Sequence, residues 1–156
     1  MHTMPDHDTV VTVGVDTHGE QHTAVAIDQL GRLLGSLEIE TTQAGYGELL
    51  AWASQFGALD RFGVEGTGSF GAGLARWLRG QGLIVIEVDR PDRKARRRGK
   101  SDLIDAEAAA RAVQAGTATM IPKRADGKVE MIRVLRGARR SAIKAQTQAA
   151  TSCAGC

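Results

Sequence analysis

Four acidic side chains carry the chemistry this sequence offers: Asp16, Glu65, Asp102 and Asp105. Asp16 closes the β-branched run Val10-Val11-Thr12-Val13-Gly14-Val15, which reads as a strand buried on both faces. A carboxylate is costly inside such a sheet but well placed at its rim, where open α/β sheets hold ligands. Glu65 closes Arg61-Phe62-Gly63-Val64 in the same manner. Asp102 and Asp105 stand three apart at the start of an alanine-rich helix and so share one face. Taken singly, each has a plainer explanation: a turn residue, a polar strand end, or acids complementing a helix N-terminus. Taken together, converging carboxylates repel unless cations or protons lie between them. Hard oxygen donors suit Mg²⁺ or Mn²⁺ rather than zinc. Two such ions about 3.5–4 Å apart can activate an attacking oxygen and stabilise a leaving one in phosphodiester displacement.

The elements that must bring these acids together follow from the residue pattern. Val10–Asp16, His22–Ile27 and Arg32–Glu40 read as three strands, with Asp28-Gln29-Leu30-Gly31 as a hairpin turn between the last two. Tyr46, Leu49, Leu50, Ala53 and Phe56 recur at helical spacing and predict a helix over 43–56 that Gly57 ends. A fourth strand over 61–65, a helix over 70–79 and a fifth strand over 83–88 follow. An antiparallel meander joined to parallel βαβ units gives a mixed five-stranded α/β sheet with flanking helices. In that order the first and fourth strands are neighbours, which sets Asp16 beside Glu65. Ser101 is the expected N-cap of a helix over 102–115, stopped by Gly116. A last helix over 127–149 has a narrow apolar stripe of Val129, Ile132 and Leu135 and is otherwise too polar to bury alone. It is expected to project or to pair with another helix, self-association through it being the simplest case.

Charge divides the chain. Met1 to Asp89 holds 4 basic and 12 acidic residues, net −8, whereas Arg90 to Cys156 holds 16 basic and 6 acidic, net +10. Arg90, Arg93, Lys94, Arg96, Arg97, Arg98 and Lys100 crowd the loop just before Asp102. A basic rim beside an acidic centre is what an enzyme acting on a polyanion needs, to hold phosphates next to the metals. With 42% hydrophobic residues the chain supports one domain with a core. No stretch approaches the roughly 18 apolar residues of a membrane span, and the polar N-terminus lacks the apolar segment of a secretion signal. Two cysteines, both near the end, make no disulfide framework and point to a reducing cytoplasm.

The ordered motifs Gly14-Val15-Asp16-Thr17-His18, Val64-Glu65-Gly66-Thr67-Gly68-Ser69, Arg90-Pro91-Asp92-Arg93 and Gly99-Lys100-Ser101-Asp102-Leu103-Ile104-Asp105-Ala106 are familiar together. From about Val10 to Ala149 the chain resembles the N-terminal catalytic part of the DEDD transposases of bacterial insertion sequences (the one-ten group). These are similar to RuvC Holliday-junction resolvases and share their RNase H-like fold. The polar, histidine-containing residues 1–9 read as a disordered tail, 10–118 as an RNase H-like catalytic domain, 119–150 as a connector and long basic helix, and 151–156 as an aberrant tail. The resemblance implies that Asp16, Glu65, Asp102 and Asp105 hold two Mg²⁺ or Mn²⁺ ions. It implies metal-dependent DNA cleavage and strand transfer at element ends and target, guided by a structured RNA, in a bacterial cytoplasm next to the nucleoid. Two departures stand out. Gly19 occupies a place where the family commonly has a basic residue. The family also continues into a second domain with a serine proposed as nucleophile, whereas this chain stops at Cys156. Its last six residues are unlike the helix they end, and codons shifted by one nucleotide can read Asn-Gln-Leu-Arg-Gly-Leu, so a frameshifted or truncated product is expected. Cys153 and Cys156 as half of a zinc site is the lesser explanation.

Rival functions are distinguishable. Gly14-x-Asp16-Thr17 followed by Gly19 also resembles the first phosphate loop of actin-like ATPases and sugar kinases, but no later Asp-x-Gly pair completes a nucleotide site. A catalytically dead fragment that only binds nucleic acid is the other alternative. His18 and His22 have the spacing of a helical metal pair but fall on a turn and a strand, so they are expected at a polar rim. Gly66-Thr67-Gly68-Ser69 is read as a strand-to-helix turn, and Trp52 and Trp77 as core.

Overall fold

A computed structural model describes residues 9–89, 101–123 and 127–153. Its elements run β1 (Val10–Thr17), β2 (Gln21–Ile27), β3 (Leu33–Glu40), α1 (Gln43–Ser54), β4 (Ala58–Glu65), α2 (Ala72–Gly80), β5 (Ile84–Val88), α3 (Asp102–Gln114) and α4 (Lys128–Cys153). The five strands form one mixed sheet in the order β3-β2-β1-β4-β5. β1 runs antiparallel to β2 and parallel to β4, as the meander followed by βαβ crossovers requires. The chain divides into two compact units, Met1–Lys123 and Arg124–Cys156. The second contains α4, on which Met131, Ile132, Val134 and Leu135 are exposed. Among the described residues no helix is long and apolar enough to cross a membrane.

β1 is the floor of the molecule because both of its faces are covered. Val11, Val13 and Val15 point into the main core with Tyr46 and Leu49 of α1, Leu74 and Leu78 of α2, and Phe62 and Val64 of β4. The alternating residues Thr12, Gly14 and Asp16 therefore face the other way, toward α3. On that side α3 lies almost on the backbone. A Cβ built at Gly14 would fall 2.0 Å from the Ala106 carbonyl oxygen and 2.3 Å from the Ala110 nitrogen. One at Gly63 of β4 would fall 2.6 Å from a Val113 methyl and 2.9 Å from the Ala109 carbonyl oxygen. Ala106 and Ala110 fill the remaining space against Val25 and Ile27 of β2. Small residues on both partners thus set the height at which α3 docks.

Two element starts and one helix cap differ from the sequence expectation for identifiable reasons. β4 begins at Ala58 rather than Arg61, because the Ala58 N–H donates to the Thr9 carbonyl at 2.8 Å and a bulge between Val11 and Thr12 resets the pairing. α2 begins at Ala72 rather than Phe70, since Gly66 takes a φ of +65° and its carbonyl accepts from both Ser69 and Gly71, holding a turn through those residues. Ser101 occupies the N-cap place of α3, but its hydroxyl makes no capping bond; its carbonyl accepts from Ile104 and Asp105 instead.

The β2–β3 hairpin is closed by Asp28, whose carboxylate accepts from the N–H groups of Leu30 and Arg32 and from Arg32 Nε at 2.6 Å. Burial pushes this carboxyl up, but the hydrogen bonds from Arg32 and Leu30 outweigh that and hold it below its ordinary value of 3.8. A lowered folded-state value stabilises the protein above the unfolded value and ceases to do so as the pH falls through the folded one. Asp28→Asn is therefore expected to be less stable than the parent at neutral pH, with the gap in urea midpoint closing as the pH is taken below 3.8. A gap that persists unchanged to about pH 2 contradicts this assignment.

Candidate active site

Asp16 and Glu65 reach the same rim of the sheet for a reason of register. Val15 pairs with Val64 on the parallel neighbour, so the next residues on each strand stand abreast at the usual spacing of about 4.8 Å. Alternation turns both side chains to the α3 face, since Val64 as well as Val15 points into the opposite core. Each is only 3% exposed. The Thr17 hydroxyl donates to the Glu65 carbonyl at 2.8 Å, which ties the two strand ends together. Thr23 of β2 sits opposite Asp16 on its other side.

α3 brings the third acid from above. Because its second turn rests on Gly14, the first turn overhangs the end of β1. Asp102 is exposed there, and Asp105, one turn further on, is half-buried. The imidazole of His18 lies between strand and helix, with Nε2 3.1 Å from Asp16 Oδ2 and 3.3 Å from Asp102 Oδ1. One ligating atom from each of Asp16, His18 and Asp102 falls within a span of 4.8 Å, a donor set able to hold a cation. Glu65 and Asp105 were expected in the cluster; among the described residues they stand outside this converging set, Glu65 beside Asp16 on the neighbouring strand and Asp105 on the same helix as Asp102. The basic run Arg90, Arg93, Lys94, Arg96, Arg97, Arg98 and Lys100 lies outside the described residues.

His18 is the site residue that spacing alone did not identify, although its place in Asp16-Thr17-His18 was a signal. A tight turn holds it: its N–H donates to the Gln21 carbonyl at 3.2 Å and to His22 Nδ1 at 3.3 Å. His22, expected at a polar rim, is instead fully buried, its ring parallel to that of Tyr46 with centroids 6.2 Å apart. Burial lowers the pKa of His22. Its Nδ1 lies 3.1 Å from the Gln21 carbonyl oxygen as well as 3.3 Å from the His18 N–H, and among the described residues Nε2 has no hydrogen-bond partner. An open groove of about 610 Å³ runs from this cluster across the sheet, between Thr23, Ser36 and Glu38 on one side and Ser101, Asp102 and Leu103 on the other.

The donor chemistry fits divalent metal. Two buried carboxylates on adjacent strands, with a third overhanging them, form a concentration of negative charge that a cation would relieve. The groove beside them is lined largely by polar and charged residues: Thr23, Ser36, Glu38, Ser101 and Asp102.

Comparison with known proteins gives the family and the fold. A family model described as a transposase, of the DEDD type, matches residues 13–156. Among solved structures, the chain is similar to Thermus thermophilus RuvC in complex with a Holliday junction substrate, with a TM-score of 0.51 at 15% identity over 70% of this chain and 98% of that one. A second Thermus thermophilus RuvC structure is matched with a TM-score of 0.48 at 14% identity, over the same shares of each chain. No curated protein matches. The mixed sheet and its flanking helices are therefore the RuvC-like version of the RNase H-like fold.

Proposed function

The chain belongs to the DEDD transposases of insertion sequences, and from that premise we propose that it carries the metal-dependent DNA cleavage and strand-transfer chemistry of transposition, with Asp16, Glu65, Asp102 and Asp105 as its metal-binding acids. The observation that carries the proposal is the meeting of Asp16 from β1 with Asp102 from α3, beside Glu65 from β4. Two Mg²⁺ or Mn²⁺ ions bound there would supply Lewis-acid activation of the attacking oxygen and charge neutralisation at the departing one. The chain's own part is positional. The sheet fixes Asp16 and Glu65, the Gly14 contact fixes the height of Asp102 and Asp105, and burial of the two strand acids keeps bulk water from competing for the cations.

DNA is the proposed substrate, and the groove past Thr23 and Asp102 is a path for one strand. The basic run Arg90, Arg93, Lys94, Arg96, Arg97, Arg98 and Lys100 immediately precedes Asp102 in sequence and supplies countercharge for phosphates on either side of the scissile bond. A structured guide RNA from the element is the second proposed nucleic acid, and DNA binding would keep the protein at the nucleoid. The test is nicking of supercoiled plasmid carrying the element ends: Mg²⁺ should support it and EDTA should abolish it. Nicking that continues in EDTA contradicts the proposal. Binding without nicking favours the second reading, a nucleic-acid-binding protein without catalysis, for which the net +10 from Arg90 to Cys156 is the supporting observation.

A second copy of the chain is the proposed partner of α4. Ile132 and Leu135 are 56% and 65% exposed on a helix that cannot bury them against itself. Sedimentation of the parent is expected to give a dimer, and Leu135→Glu a monomer. A monomeric parent, or a Leu135→Glu dimer of unchanged affinity, contradicts it.

A further inference from the structure

The imidazole between Asp16 and Asp102 has more than a hydrogen-bonding geometry. Ligands at right angles around a six-coordinate ion with bonds of about 2.1 Å lie about 3.0 Å from one another. The contacts of His18 Nε2 with the two carboxylates, 3.1 and 3.3 Å, are within a few tenths of that spacing. Nε2 carries at most one N–H and cannot donate fully to both oxygens at once, so one hydrogen bond does not account for both contacts. The side chain is also held for the task. Its backbone N–H is anchored to Gln21 and His22, and His22 in turn is buried against Tyr46.

We infer that His18 is a nitrogen ligand to one of the ions held by Asp16 and Asp102, giving that position a mixed nitrogen–oxygen donor set that takes Mn²⁺ in preference to Mg²⁺. Imidazole suits first-row transition ions, whereas Mg²⁺ is satisfied by oxygen alone, so the added nitrogen raises affinity for one ion and not the other. The inference rests on the acid cluster proposed above and goes beyond it by adding a fifth residue and a metal preference. His18 is half exposed, and its replacement removes no core contact, so variants at this position should fold.

The experiment is Mn²⁺ binding to the full chain, read by pulsed electron paramagnetic resonance and by titration against Mg²⁺. The parent should show nitrogen hyperfine coupling to bound Mn²⁺, and His18→Gln, which keeps a polar side chain of similar reach, should lose it. Mn²⁺ affinity in His18→Gln should fall about tenfold or more, as for groups that shape a metal site, with Mg²⁺ affinity changed much less. Bound Mn²⁺ without nitrogen coupling, or coupling that survives His18→Gln, overturns the role of His18 and leaves the acids as the site. Mn²⁺ binding unchanged by Asp16→Asn overturns the acid cluster and the histidine together.

Discussion

Asp16→Asn is expected to lower Mg²⁺-dependent nicking by at least about 100-fold while leaving the fold intact. Loss of a group that merely orients a metal ligand costs about 10–100-fold in affinity or activity, and loss of the ligand itself should cost no less. The substitution is close to isosteric and removes one negative charge from a rim where Asp16 and Glu65 are both 3% exposed. That charge is unfavourable to the empty fold. Without metal, Asp16→Asn should therefore melt at or above the parent temperature, as happens when a site holds like charges for function. An acid kept for structure behaves in the opposite way, since removing it loses stability. A variant that melts well below the parent yet still nicks DNA would falsify the assignment of Asp16.

The second large effect concerns Gly14, which touches no substrate. Any side chain there meets the backbone of α3 at 2.0 Å from Ala106 and 2.3 Å from Ala110, and backbone atoms cannot rotate aside. Extra methylenes in a packed core cost about 1–3 kcal/mol when side chains can adjust. Gly14→Val should reach or pass the upper end of that range, about 3 kcal/mol, which for a chain of this size is about 6–12 °C in melting temperature. Nicking should fall further than stability alone explains, because the lifted helix carries Asp102 away from Asp16. Gly47→Ala is the internal control. It lies in α1 with open space around its Cβ, and the exchange should raise stability slightly through helix propensity. A Gly14→Val protein as stable as the parent, measured by calorimetry, would show that α3 does not rest on β1 as described.

Much of this architecture is legible in the residues, and where it is not there is a physical reason. Strand order follows from apolar runs and short links, and the neighbouring first and fourth strands set Asp16 beside Glu65, as the register of β1 on β4 does. The ends of elements were less legible because they depend on tertiary partners. β4 starts three residues early since Thr9 offers Ala58 a carbonyl. Phe70 leaves α2 because the turn after Glu65 uses Gly66 to Gly71 first. His18 was hardest to read, since its place depends on two distant features at once: the turn that closes on Gln21, and the docking height of α3 set by Gly14 and Gly63. Spacing within a sequence reports one element at a time, whereas His18 acts between two. His22 went the other way, a polar residue drawn into the core by stacking on Tyr46.

The most direct measurement is an anomalous difference map from crystals soaked in Mn²⁺. A peak bounded by the carboxylates of Asp16, Glu65 and Asp102, absent from Asp16→Asn crystals treated identically, is the expected result. Mn²⁺ bound elsewhere, or a peak unaltered by that substitution, would show that these acids do not form the metal centre.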